Sequence, residues 1–190
     1  MKKGPLRLMV ISYPRRLDTV FERSVLSLAK HVGPGFRVER CQEPKDVPWL
    51  VRQWRRRGHD VTRLEFLGHG KAGAFSLGDQ MFIDATGTGL ETFGALGDEL
   101  AEDARVNLLG CRVARGGQAA WLTPFERALG ARRTLWGASS WVSHVAFMHG
   151  PISAEVEATL VRAGRSVETP EKRHPRPSGR HTAGRGTHGH

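Results

Sequence analysis

Two short words carry the residues best suited to chemistry: Leu64-Glu65-Phe66-Leu67-Gly68-His69-Gly70 and Val106-Asn107-Leu108-Leu109-Gly110-Cys111. Each is a β-type apolar run that stops at a glycine and then presents one reactive side chain. In an open parallel sheet, functional groups sit just beyond the carboxyl ends of the strands. An imidazole and a thiol on two such ends form a Cys–His nucleophilic pair. A neutral thiol is only a few per cent ionised at neutral pH, so such a site must favour thiolate or remove the proton during attack. His69 is the expected general base for Cys111.

Positioning these groups requires alternating strands and helices, and the pattern supplies them. Leu6 to Ser12 reads as a buried strand closed by Tyr13-Pro14. Asp18 can cap a helix from about Thr19 to His31, whose apolar residues recur at helical spacing, and Gly33-Pro34-Gly35 ends it. Phe36 to Cys41 is a second strand, and Glu43 to Arg57 a helix with Val47, Leu50, Val51 and Trp54 on one stripe. Val61 to Gly68 delivers His69. Two short extended pieces follow, around Phe75-Ser76-Leu77 and Met81-Phe82-Ile83, with Gly78-Asp79-Gln80 as a hairpin turn. Further on come a helix over Leu90 to Leu100, the strand Val106 to Gly110 that delivers Cys111, and a helix from about Gln118 to Leu129. A strand over Arg133 to Ala138 and a last helix over Ala154 to Ala163 complete the series. This rhythm predicts an α/β fold with a mostly parallel central sheet flanked by helices. Residues 1–164 form the domain. Residues 165–190, rich in Pro, Gly, Arg and His and without apolar periodicity, are expected to be a disordered basic tail.

The order and flanks of the two words resemble the caspase–hemoglobinase clan of cysteine peptidases, and more closely its CHAT-like bacterial branch and a related caspase-like domain found in large bacterial surface proteins. In that clan one apolar strand ends in His-Gly and a later one in the nucleophilic Cys. The likeness extends to Gly73 and Leu77-Gly78, to Gly110-Cys111-Arg112-Val113-Ala114 with Gly116-Gly117, and to Ala138-Ser139. It covers roughly Leu64 to Trp141; the first sixty residues fit only through their strand–helix rhythm. The resemblance implies a three-layer caspase-like fold and a cysteine endopeptidase working through a His69–Cys111 dyad without a strong third member. It implies an oxyanion hole from the backbone N–H groups of Gly70 and Cys111. It also implies a protein or peptide substrate, and activation by self-processing or a partner protein. In such peptidases the region of Ser139, Ser140 and Trp141 helps line the substrate groove. Specificity there is set by charge opposite to the substrate's. Asp84, near the active loop, favours a basic substrate residue, with Asp79 and Asp98 as other acidic candidates and Arg112 and Arg115 as basic ones.

Composition narrows the alternatives. The formal net charge is +10, part of it on the tail, where six Lys/Arg face two Asp/Glu. Basic faces attract nucleic acid, anionic membranes or acidic proteins. No aromatic-interleaved basic motif accompanies the charge, so nucleic acid is not the expected partner. A catalytically silent caspase-like binding module and a basic nucleic-acid-associated protein are the rival readings. Two cysteines do not make a disulfide framework, and Cys41 reads as structural. No secretory signal and no membrane span of about 20 apolar residues is legible. A cytoplasmic location is therefore expected, where a free thiol stays available. His144 and His149 lack zinc-site spacing, and Gly87-Thr88-Gly89 is not followed by the Lys-Ser/Thr of a phosphate loop; no metal or cofactor is expected.

Overall fold

Alternate residues of β1 (Gly4–Ser12) enter two separate cores. Leu6, Leu8 and Val10 pack on one side of the sheet and Met9 and Ile11 on the other, as period-two geometry requires of a strand buried on both faces. The computed structural model describes residues 3–16, 18–115, 119–148 and 150–164. After β1 come α1 (Thr19–Ala29), β2 (Phe36–Cys41), a 3-10 turn (Pro44–Asp46) running into α2 (Val47–Arg56), and β3 (His59–Leu67). A small antiparallel sheet follows, of β4 (His69–Lys71), β5 (Ala74–Leu77) and β6 (Gln80–Asp84). Then come α3 (Leu90–Gly97), β7 (Arg105–Leu109), α4 (Thr123–Leu129), β8 (Thr134–Ala138), α5 (Ala154–Ala158) and β9 (Leu160–Arg162).

The central sheet has the order β2-β1-β3-β7-β8-β9. All neighbours are parallel except β8 and β9. Helices α2, α3 and α4 bury Val47, Val51, Phe93, Leu96, Phe125 and Leu129 in one core. On the opposite face α1 and α5 contribute Phe21, Leu28 and Val156. The mostly parallel α/β sheet is thus the one the sequence predicts. One element differs. The expected helix over Ala154 to Ala163 stops at Ala158, and Leu160-Val161-Arg162 turns back as an edge strand against Ala138, Gly137 and Trp136. Three residues of that short apolar run suit either state, and pairing with the open edge of β8 decides it. The helix expected from Gln118 is shorter too: Ala120–Leu122 is a 3-10 turn, and Pro124 opens the α-helix proper at Thr123.

On the α1 side the sheet is apolar toward the strand carboxyl ends and charged toward the amino ends. Glu65, fully buried, accepts bonds from Arg7 Nε at 2.8 Å and Nη2 at 2.6 Å, from Arg63 Nε at 3.0 Å and from Asn107 Nδ2 at 3.3 Å. Glu157 ties Arg63 and Arg105 together above it. This pairing removes the cost of a buried carboxylate, and locks β1, β3 and β7 in register below the site. Among the described residues no helix is long and apolar enough to cross a membrane. The expectations for residues 165–190, Gly116-Gly117 and His149 lie outside the described residues, as does the side chain of His144.

Candidate functional site

Strands β3 and β7 are parallel neighbours, with Leu67 opposite Leu109. His69 and Cys111 each follow two residues later, so both emerge from the same rim of the sheet, side by side. Glycines let the two ends close together. A Cβ placed on Gly70 would lie 2.6 Å from the carbonyl carbon of Gly110, and one on Gly110 would lie 2.9 Å from the Cα of Gly70. The ring of Phe75, from β5, fills the remaining space: it would meet a Cβ on Gly110 at 2.6 Å and one on Gly68 at 2.8 Å. Backbone in contact with backbone leaves His69, at the start of β4, and Cys111, at the start of a turn, on adjoining stretches of chain.

His69 is pinned from the far side. Its Nε2 lies 3.0 Å from Oδ2 of Asp18, and its ring meets Phe21 edge-on at 4.9 Å between centroids. Asp18 is the N-cap of α1, its Oδ1 accepting the Val20 N–H at 2.9 Å. One carboxylate therefore starts the helix and holds the imidazole. The sequence announces only the first role; the second needs β1 and β3 to be neighbours. The side chain of His69 remains 65% exposed, open to a ligand.

Cys111 opens a tight turn and donates its Sγ–H toward the carbonyl oxygen of Val142 at 3.6 Å. The next residue, Arg112, has φ of 59°, a conformation that costs a side-chain-bearing residue about 1–2 kcal/mol. Its N–H donates to the Ser140 carbonyl at 2.9 Å, and its guanidinium stacks on the ring of Trp141 at 4.5 Å. Trp141 is 66% exposed. The loop after β8 thus reaches Cys111 through Ser140, Trp141 and Val142. Ser139 is used otherwise: its Oγ donates to the Thr159 carbonyl at 2.8 Å and joins the loop to the start of β9.

Asp84 also has another use. Its Oδ1 accepts the N–H of Thr86 at 2.9 Å, its hydroxyl at 2.6 Å and the N–H of Thr88 at 3.2 Å, while Oδ2 accepts the Thr88 hydroxyl at 3.1 Å. These bonds, the hydroxyl of Thr86 foremost, hold the carboxyl below its ordinary range despite some desolvation. It sits opposite Ala74, at the end of β6 away from the register of His69 and Ser76. Cys41 is a buried thiol donating to the Glu43 carbonyl at 3.1 Å, and burial, with Asp46 nearby, pushes its pKa up to about 12. A thiol so buried and so raised stays protonated and unreactive.

Two hollows lie near His69, one lined by its partners Asp18 and Phe21 and one by His69 itself. One, of about 290 Å³, is walled by Tyr13, Asp18, Phe21, Glu22 and Gln42 at the carboxyl ends of β1 and β2. The chain passes from β1 outward to β2 and then back across to β3, so the hollow borders the switch point where open α/β sheets take ligands. The hairpin turn of β5 and β6 closes its edge: Gly78 N–H donates to Ser12 Oγ at 2.8 Å, and Arg15 N–H to Asp79 Oδ2 at 2.9 Å. Gly78, at φ of 59°, touches the carbonyl of Gln42 too closely for any side chain. The second hollow, about 250 Å³, is lined by His69, Gly70, Lys71, Ala74, Ser76 and Met81. Among the described residues, no three His, Cys, Asp or Glu side chains gather as a metal site.

A family model described as a domain of unknown function, DUF4347, matches residues 22–132. The chain belongs to this family. The part of the DUF4347 match that concerns the site holds both strand ends, with His69, Gly70, Gly110 and Cys111. Asp18 and the loop carrying Ser140 and Trp141 lie outside it. No curated protein matches the chain.

Proposed function

We propose that this DUF4347 chain is a cysteine endopeptidase of three-layer caspase-like architecture, with Cys111 as nucleophile and His69 as its base. The observation that carries this reading is the pairing of two strand ends in one register, closed by the Gly70–Gly110 contact. The likeness to the caspase–hemoglobinase clan adds the expected order of the two groups.

The chemistry follows from the groups. With Nε2 of His69 engaged by Asp18, Nδ1 is the nitrogen that takes the thiol proton. Sγ attacks the substrate carbonyl carbon, and the oxygen gains charge against the N–H groups of Gly70 and Cys111, where losing one donor typically costs about 10²–10³ in rate. The imidazolium returns its proton to the leaving nitrogen as the C–N bond breaks. Water then attacks the thioester, His69 taking one proton from it and restoring it to the departing sulfur. Asp18 orients the ring and stabilises its charged form; it is a positioning residue. The substrate is a protein or peptide, and a partner protein supplies the target or the trigger.

The test is a comparison of cleavage products, by mass spectrometry of new peptide termini, after wild type, Cys111→Ala and His69→Ala are each added to a cell extract. Termini made by wild type alone are expected. Identical sets from all three would end the proposal.

A further inference from the structure

Helix α2 has two opposite faces. Val47 and Val51 are buried in the core, and Leu50 and Trp54 pack against it. Helical spacing sets Trp49, Arg52 and Arg56, at i, i+3 and i+7, along the other side, and Lys45 in the preceding 3-10 turn continues the row. All four side chains are exposed. Trp49 stands 56% exposed in this row, with a cation on either side of it.

Charge gathers on the same face. Residues 45–57 hold Lys45, Arg52, Arg55, Arg56 and Arg57 against the carboxylate of Asp46. Neighbouring segments answer part of it: Glu43 pairs with Lys45 at 2.7 Å, and buried Glu99, just after α3, takes Arg52 at 2.8 Å and Arg55 at 3.3 Å. Among the described residues, Arg56 and Arg57 pair with no carboxylate. Arg57 lies over the Trp54 ring at 4.7 Å, with Arg37 over the same ring at 5.4 Å, while the indole donates to Glu39 at 3.0 Å. The field beyond this end of α2 is positive. His59, whose ring lies 5.6 Å from that of Trp54, is held below the ordinary histidine value first by desolvation and then by Lys3, Arg37 and Arg57.

This face suits a plane rather than a groove. Helix α2 packs on β3 and α3, so its outer row forms a ridge on the outside of the domain, and neither hollow near His69 is lined by a residue of α2. A single strand of nucleic acid is held in a basic groove with several aromatic side chains for its bases, and this row offers one. A bilayer surface takes an indole at headgroup depth with cations around it, which is what the row supplies. His69 and Cys111 emerge from the carboxyl rim of the sheet, so a chain lying on α2 keeps them open to water.

We propose that α2 is a peripheral docking surface for an anionic lipid bilayer. Trp49 enters the headgroup layer, and Lys45, Arg52, Arg55 and Arg56 lie against lipid phosphates. The inference does not depend on the peptidase reading.

The experiment mixes the full chain with vesicles of phosphatidylcholine, alone or with phosphatidylglycerol, and measures co-sedimentation. Wild type is expected to bind the anionic vesicles and not the neutral ones, and to be released as salt is raised. Arg56→Gln should weaken binding about fivefold, the effect of one surface cation, and Trp49→Ala about tenfold or more. Both side chains are exposed, so thermal unfolding of either variant should match wild type. Lipids brominated near the carbonyl end of their chains should quench a larger fraction of the fluorescence in wild type than in Trp49→Phe. No binding to anionic vesicles, or equal quenching in those two proteins, overturns the proposal. So does binding unchanged in both Trp49→Ala and Arg56→Gln, which would assign the attraction to the charges after Gly164. Tighter binding to a single-stranded oligonucleotide, lost in the same two variants, overturns it in favour of nucleic acid.

Discussion

Replacing Asp18 by Asn isolates the charge beside His69. Asn caps a helix as well as Asp, so the bond to the Val20 N–H and the stability of α1 should survive. What disappears is a carboxylate 3.0 Å from Nε2. At an effective dielectric near 20, two unit charges at that distance attract by about 5 kcal/mol. The pair is far from buried, however: the side chains are 65% and 24% exposed. Solvent screening brings such pairs to about 1 kcal/mol or less. In the proposed mechanism the imidazolium forms as the thiol gives up its proton, so that energy belongs to the transition state. The expected fall in kcat/KM for the best peptide is then about fivefold at 1.36 kcal/mol per decade. Thermal unfolding should match wild type, whereas Asp18→Ala should also lose about 1 kcal/mol of stability with its cap. No change in kcat/KM would mean that the carboxylate serves the helix alone. A fall of thousands, typical of a buried triad acid, would contradict the screening deduced from exposure.

Other consequences are equally open to measurement. Glu65→Ala leaves Arg7 and Arg63 without their buried partner and should cost about 3–5 kcal/mol in urea unfolding; a loss under 1 kcal/mol would show that the network is not needed. Gly70→Ala drives a methyl into Gly110 and Val113. It should cost about 1–3 kcal/mol and, by parting the strand ends, about 100-fold or more in peptide cleavage, so full activity would refute the contact. His59 is depressed by its desolvation and by Lys3, Arg37 and Arg57 around it, so the unfolded chain takes up the proton first. Stability present above the ordinary histidine value near 6.5 is therefore lost as pH falls below it. The urea midpoint should drop between pH 7.5 and 5.5, and His59→Gln should flatten that drop.

The strands were legible because the buried runs are short and β-rich, several of them closed by glycine or proline, as at Pro14 and Gly110; Phe36–Cys41 keeps its predicted bounds. Register was not. No residue type says that Leu67 and Leu109 pair, and only that pairing makes neighbours of residues forty-two apart. Gly68, Gly70 and Gly110 are visible in the sequence as small residues, but the packing of Gly68 and Gly110 on Phe75, and of Gly70 on Gly110, is a tertiary fact. Asp18 reads as a cap because capping is local; its hold on His69 spans 51 positions. Asp84 had a local signal that outweighed its placement near the active loop. Threonines two and four residues later satisfy it within its own turn, as Asp does in many loops. The edge strand at Leu160 depended on an open β8 edge that no local window contains.

The proposed action of His69 on Cys111 is tested most directly by alkylation of the thiol itself. Iodoacetamide is added to the folded chain at neutral pH, and labelling of each cysteine is followed by mass spectrometry. Cys41, buried and with its pKa pushed up to about 12, serves as the silent internal reference. Cys111 should label quickly in wild type and about tenfold or more slowly in His69→Ala, with Cys41 unlabelled in both. Equal Cys111 rates in the two folded proteins would show that the imidazole does not act on the sulfur.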